Sequence, residues 1–294
     1  MNRNKCFSVI GGDARSIEAA NALFNSGYAV KVFAFNDKCS FKQGVIRSKT
    51  IQDATSDADY LLLPIPYSTN GESVNAPLYD NSLLLSTLFQ HIKGFQTVFA
   101  GRIDESFHSD MNTKNISHYD YAKREEFAIY NAIPTAEGAI EIAFRECPFT
   151  LNGSRCLILG HGRIAKILRH MLTGLGAGVA VSARKISDLA WASSFGADAF
   201  SIYDLSKHIE NYQIIFNTIP YCILTKDILA KAKQKPLIID LASRPGGVDF
   251  EAAGQMNLKA IHALSLPGKV APDTAGRIIC DTVLNIISET EVKE

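Results

Sequence analysis

The 294-residue chain has no pair of cysteines at the two-residue spacing of a zinc ribbon or a redox motif, which removes the commonest metal and disulfide frameworks from consideration. Its six cysteines, at positions 6, 39, 147, 156, 222 and 280, are scattered, and several sit in apolar runs where cysteine acts as a small hydrophobe. No metal is expected. Charge of one sign is also lacking: 30 Lys and Arg balance 30 Asp and Glu, so no basic field marks nucleic acid or an anionic membrane as a partner. No apolar run reaches the ~18 residues of a membrane span. The first apolar run follows Arg3 and Lys5 but stops at Gly11, too short for a signal peptide, so a soluble, cytoplasmic protein is expected. Ser-His-Asp spacing and paired carboxylates are missing too, which removes the commonest hydrolytic arrangements.

What is present is centred on residues 155–185. Cys156-Leu157-Ile158-Leu159 is a short apolar run; Gly160-His161-Gly162-Arg163-Ile164-Ala165 then opens a helix with Ile164, Ile167, Leu168, Met171 and Leu172 at helical spacing. This is a G-x-G-x-x-A dinucleotide turn. Gly160 permits the bend, Gly162 lets backbone approach a pyrophosphate, and small Ala165 lets helix and strand pack, leaving free N–H groups for an anion. The context agrees: Gly176 ends the helix and Val179–Ala183 makes the next strand. An NAD site usually places an acid after that strand, whereas this chain has Ser182, Arg184 and Lys185 and no acid before Asp188. Two cations and a hydroxyl suit a 2′-phosphate, so NADP is favoured; NAD, with Arg184 and Lys185 as a solvated pair, is the alternative.

At this length two domains are the prior. Phe7–Ile10, Gly11-Gly12-Asp13-Ala14-Arg15, a helix to about Asn25 and a strand at 29–35 form a second strand, glycine turn, helix and strand without the full fingerprint. Asp13 stands where a diphosphate would sit; it is either a helix cap or a substrate contact. Further strands are expected at 60–63, ending in Pro64-Ile65-Pro66 and a polar surface loop from Tyr67 to Asn75, and at 97–101. Residues 102–120 are polar, and their His108 and His118 are expected to be solvated. Pro134 is placed to begin a connecting helix to Cys147, with Thr135 and Glu137 in its first turn as site candidates or as ordinary helix-start residues. Strands at 213–217, 236–241 and 258–263 continue the alternation, and a core helix closes the chain. In a doubly wound sheet the loops after strands converge, bringing together the Gly160 turn, Thr218-Ile219-Pro220, Leu241-Ala242 with Ser243-Arg244-Pro245-Gly246-Gly247, and a last loop from Pro267 to Thr274. Arg244, before a fixed bend, suits a carboxylate substrate or a structural salt bridge.

The fold expected is therefore α/β, with two Rossmann-like doubly wound domains: 1–134, a connecting helix at 135–150, a nucleotide-binding domain at 151–273 and a C-terminal core helix at 274–294 returning to the first domain.

Several runs together resemble the family of dipicolinate synthase A-subunits from spore-forming bacteria: Val9–Arg15, Tyr130–Gly138, Asn217-Thr218-Ile219-Pro220, Ile239–Gly247 with Asp249-Phe250, and Leu266–Gly276. The resemblance implies a fold like the two-domain hydroxyacid dehydrogenases and conversion of 4-hydroxytetrahydrodipicolinate, a small dicarboxylate, to pyridine-2,6-dicarboxylate. It also implies a nicotinamide cofactor, the dipicolinate synthase B-subunit as partner and the mother cell of a sporulating bacterium. Two substrate carboxylates require cations, and Arg15 and Arg244, which lie in the shared runs, are inferred to supply them, with Asp13, Thr135 and Glu137 as the other candidate site residues. The chain departs from the family at Ala165, usually glycine, at Lys269, usually aliphatic, and at Asp273, usually lysine. Self-association is compatible with this reading. Rival readings are a dehydrogenase of a small 2-hydroxy or amino acid, and a binding protein for cofactor or partner without chemistry of its own.

Overall fold

The structure, a computed structural model, describes residues 5–292. One compact unit is built from the chain up to Asn131 together with the segment from Ala271 onward; Ala132–Val270 forms the other. In the first unit six strands, β1 (Cys6–Ile10), β2 (Ala29–Phe33), β3 (Ile46–Arg47), β4 (Tyr60–Leu62), β5 (Thr97–Ala100) and β6 (Ser117–Asp120), pair in the order β3-β2-β1-β4-β5-β6. The second unit has β7 (Arg155–Leu159), β8 (Gly178–Ala183), β9 (Asp198–Ser201), β10 (Ile214–Asn217), β11 (Leu237–Asp240) and β12 (Ala260–His262), ordered β12-β11-β10-β7-β8-β9. Read from the other edge, the second order is the same as the first. Every strand pairing in both sheets is parallel. Each is a doubly wound sheet whose order reverses beside its first strand, and each glycine turn follows that strand.

The central strands are apolar because helices cover both faces of a parallel sheet. Phe7 to Ile10, Cys156 to Leu159, Ile214 to Asn217 and Leu237 to Asp240 are all buried. The terminal helix Pro272–Glu291 belongs to the first unit, where Ile279, Cys280, Val283, Ile286 and Ile287 share a core with Ala19, Ala20 and Leu23 of the helix Ala14–Asn25. Burial holds the Cys280 thiol up at about 12 and the Cys156 thiol up at about 11, so neither is a ready thiolate. Gly276 makes the helix contact close: a Cβ there would come within 2.6 Å of the Arg15 carbonyl oxygen.

Three readings change. The connecting helix runs Glu125–Glu146 with Pro134 inside it, so Thr135 and Glu137 lie mid-helix. Glu125 and Glu126 occupy the first turn, where acids favour the dipole, and buried Phe127, Ala132, Ala136, Ala139, Ile140 and Ala143 keep the stripe going through the proline. Residues 102–120 are not a polar loop: Asp104 caps the helix Glu105–Thr113 by accepting from Phe107 N, and β6 follows. His108 and His118 are part-buried and hydrogen-bonded to each other, Nδ1 to Nε2, at 2.8 Å. Leu266–Val270, read as loop, is a short helix. Among the described residues no helix is long and apolar enough to cross a membrane, and no group of three His, Cys, Asp or Glu side chains could hold a metal ion.

Candidate functional site

In the second unit β7 leaves the core at Leu159, and the chain turns at Gly160. Gly160 N donates to the Ser182 carbonyl at 2.8 Å, and Thr218 donates to the Leu159 carbonyl through both N and Oγ1, at 2.9 and 2.8 Å. The turn needs a φ of +98° at Gly160, and a Cβ would run into Thr218 Oγ1, so glycine is required twice over. Gly162 is the N-cap of the helix Arg163–Gly174, with no side-chain cap, no acid in the first turn and no atom within 4 Å of where a Cβ would project. Gly162 and Arg163 are exposed and Ile164 is half-buried, while Ala165 is sealed in the core with Ile158 and Leu168. An open helix start with no capping side chain has backbone N–H groups in a position to meet an anion.

His161, between the two glycines, was not singled out from sequence. Its ring is buried, its Nδ1 has no hydrogen-bond partner and lies 4.0 Å from Asp188 Oδ1. Burial first, then the charge of Lys166, hold its pKa below the ordinary 6.5, so it is neutral in the turn.

Past β8, Arg184 and Lys185 are exposed and have no ion-pair partner among the described residues; the helix Ile186–Ser194 begins directly after them. Ser182 differs from its two neighbours: the side chain is fully buried, its hydroxyl has no partner, and its carbonyl is what serves the turn. Ser182 is still within β8, paired with Leu159 and Phe200, where the strand is buried on both faces from Ala180 to Ala183.

The loops after β10 and β11 are pinned by two buried polar residues. Asn217 Nδ2 donates to Asp240 Oδ1 at 2.8 Å and to the Ile219 carbonyl at 3.0 Å, while Ile219 N donates to Asn217 Oδ1 at 3.1 Å. Asp240 also accepts from Ala242 N at 3.1 Å and from Gly247 N at 2.8 Å. Leu241 and Ala242 are thereby buried, and Ser243 and Arg244 stand exposed at the bend. Arg244 has no salt bridge among the described residues. Thr218 and Ile219 are half-buried and Pro220 exposed. An aspartate ending the run Pro236-Leu237-Ile238-Ile239 was the sequence signal that could have found Asp240, because an apolar strand carries a charge only where donors await it.

Thr135 is buried in the same unit and Glu137 exposed on its helix. Asp13 and Arg15 belong to the first unit. Asp13 caps its helix, accepting from Arg15 N at 3.0 Å, and pairs with the Arg15 guanidinium at 2.7 Å; Arg15 also donates to the Ile65 carbonyl at 2.9 Å. The two glycines before Asp13 are buried. A Cβ on Gly12 would strike Ser16 Oγ, and one on Gly11 would stand 3.0 Å from Val74 Cγ1 and Ala76 Cβ. Tyr67 and Val74, at the two ends of the 67–75 loop, are core residues, and Val74 closes over this turn, while Thr69 to Glu72 between them are exposed on the surface as expected.

Two doubly wound sheets of the same strand order define a fold class shared with dehydrogenase-type proteins. The transhydrogenase structure from Sinorhizobium meliloti matches 96% of this chain and 92% of its own at a TM-score of 0.70, with 16% identity. Within that class the relationship is specific. The family model for the N-terminal domain of the dipicolinate synthase A-subunit matches residues 6–122. The A-subunit of dipicolinate synthase from Bacillus subtilis (strain 168) is 32% identical over 292 residues, 98% of this chain and 97% of the relative. The crystal structure of the Bacillus subtilis dipicolinate synthase A chain matches 100% of this chain and 99% of its own at a TM-score of 0.88, with 30% identity. The chain belongs to the family of dipicolinate synthase A-subunits.

Proposed function

We propose that this chain is an NADP-linked oxidoreductase of dipicolinate synthesis, converting 4-hydroxytetrahydrodipicolinate to pyridine-2,6-dicarboxylate with the dipicolinate synthase B-subunit in a sporulating cell. Family membership and one observation support the reading: the helix start at Gly162 is open, uncapped and free of acid, where a diphosphate needs N–H groups. The backbone of Gly160, Gly162, Arg163 and Ile164 would hold the diphosphate. Arg184 and Lys185 would hold a 2′-phosphate, since no acid ends β8 and their charges have no partner among the described residues. Thr218, Ile219, Pro220, Leu241, Ala242 and Ser243 line the loops beside the turn.

When bound, the nicotinamide supplies the hydride acceptor. The chain's residues have to bind and orient a substrate that loses water, a hydride and a proton on becoming aromatic. Arg244 takes one substrate carboxylate through its fork of donors. Arg15 is already engaged by Asp13 and the Ile65 carbonyl, so Arg244 carries the assignment. Mixing the purified chain with the B-subunit, freshly made substrate and NADP should yield dipicolinate and reduced cofactor. Absence of product with both NADP and NAD contradicts the reading, and turnover of simple hydroxy acids by the chain alone would replace it with an ordinary dehydrogenase.

A further inference from the structure

We infer that Asp240 and Asn217 are positioning residues that hold the bend carrying Arg244 in register with the Thr218–Pro220 loop, so that diacid binding depends on their hydrogen bonds; this deepens the proposed function and rests on it. Their Cα positions pair across β10 and β11, and both side chains are fully buried at the point where the strands end. A carboxyl group with no exposed surface is tolerated only where donors meet it, and here three do, none of them a cation: Asn217 Nδ2, Ala242 N and Gly247 N. Two of the three are backbone groups on either side of Ser243-Arg244-Pro245. The carboxylate therefore pins both ends of a bend whose exposed tip is a guanidinium.

The other half of the pair does the same for the neighbouring loop, because Asn217 both donates to and accepts from the backbone of Ile219. Packing around the pair leaves no slack. A Cβ on Gly246 would stand 2.6 Å from Asp240 Oδ2, and one on Gly247 would overlap Asn217 Nδ2. His262, stacked on Phe250, meets the Ala242 carbonyl at 2.9 Å and braces the bend from β12. A sheet needs no such device to hold two strands together. The bonds run out of the sheet into the loops.

The geometry makes Asp240→Asn a sharp substitution. The amide keeps the shape but turns one oxygen into a donor, facing either Gly247 N–H or the Asn217 amide, and one end of the bend loses its anchor. Dipicolinate affinity should fall about tenfold, the scale of one charge-assisted hydrogen bond. In an Arg244→Ala background the same change should add almost nothing, because the effect acts through Arg244. A purely structural role predicts the reverse: a lower melting temperature with unchanged diacid affinity in the folded protein, or a loss additive with Arg244→Ala. Asn217→Asp is the second variant. It sets two carboxyl groups side by side with His262 as the neighbouring titratable group, so the pair shares a proton and diacid binding should weaken as pH rises more steeply than in the wild type.

The experiment is calorimetric titration of the full chain and these variants with dipicolinate and, separately, NADP, beside circular dichroism melts. A diacid-specific loss in Asp240→Asn that disappears on the Arg244→Ala background is the expected result. Wild-type diacid affinity in folded Asp240→Asn overturns the inference alone, and if that variant is insoluble, an Asn217→Asp with the wild-type pH dependence does so. A wild-type chain that binds neither ligand overturns the proposed function and this inference with it.

Discussion

The two glycine turns of this chain start from the same topology and end with opposite chemistry. After β1, Gly11 and Gly12 are buried under Val74, Ala76 and Pro64, and Asp13 fills the helix start with its own carboxylate, neutralised by Arg15. After β7, Gly162 faces open space and the helix start has no side-chain cap at all. A helix N-terminus has unsatisfied N–H groups wherever it occurs; what decides whether it can take an external anion is whether the chain has already supplied one. The difference between a closed turn and an open one lies in a single residue at the cap and in what the following loop covers.

Moving the closed solution into the open turn should give the largest effect. Gly162 has an ordinary φ of −80° and clear space, so Gly162→Asp is sterically allowed. It should gain a cap and lose the anion: NADP affinity falls by about a hundredfold, roughly 3 kcal/mol, while the melting temperature holds or rises, a cap being worth about 1 kcal/mol. Titration and thermal melts on the same sample check both halves, and unchanged affinity would separate the turn from cofactor binding. The converse test is steric. Gly12→Ala meets a φ of +110° and Ser16, and should lose about 2 kcal/mol or more in denaturant unfolding, whereas Gly162→Ala should change stability by less than about 1 kcal/mol. Equal costs at the two glycines would remove the contrast between the turns.

Arg184→Ala sharpens the comparison on the cofactor side. Losing one charge-assisted contact should weaken NADP about tenfold and leave NAD unchanged. Equal affinity for the two nucleotides in the wild type would refute the NADP preference. The smallest effect concerns His161, which has no counterpart in the Gly11-Gly12 turn. Its pKa in the folded chain lies below 6.5, through burial first and Lys166 second, and an unfolded chain returns it to 6.5. The unfolded state therefore binds the proton more readily, so this contribution is intact above about pH 6.5 and lost as pH falls through the lowered folded value. Melting temperature should drop by a few degrees between pH 7 and pH 5, and less so in His161→Gln; identical pH profiles would dismiss the effect.

Both sheets were legible in the sequence because buried parallel strands are short, nearly continuous apolar runs, and Cys156–Leu159, Ile214–Asn217 and Pro236–Asp240 have no other comfortable reading. The edge strands β3, β6 and β9 were not, whereas β12 was. Ile46-Arg47 is two exposed residues, and Ser117-His118-Tyr119-Asp120 looks like a polar loop until Phe99 and Tyr119 are seen stacked across β5 and β6. The start of the connecting helix was lost to Pro134, whose usual place is a first turn, because local propensity says nothing of the cores that Phe127 on one side and Ala136 on the other enter. The glycine fingerprint gave the backbone of the candidate site. It could not give Asn217, Asp240 or His161, whose importance lies in partners distant along the chain, nor could it tell that Ser182 turns inward while Arg184 stays outside.

The most direct test is the stoichiometry of nucleotide binding. Calorimetric titration of the full chain should give one NADP per chain, weakened about a hundredfold by Gly162→Asp and unchanged in Asp13→Asn. Two sites per chain, or binding that keeps its affinity in Gly162→Asp and disappears in Asp13→Asn, would contradict the assignment of the open turn as the nucleotide site.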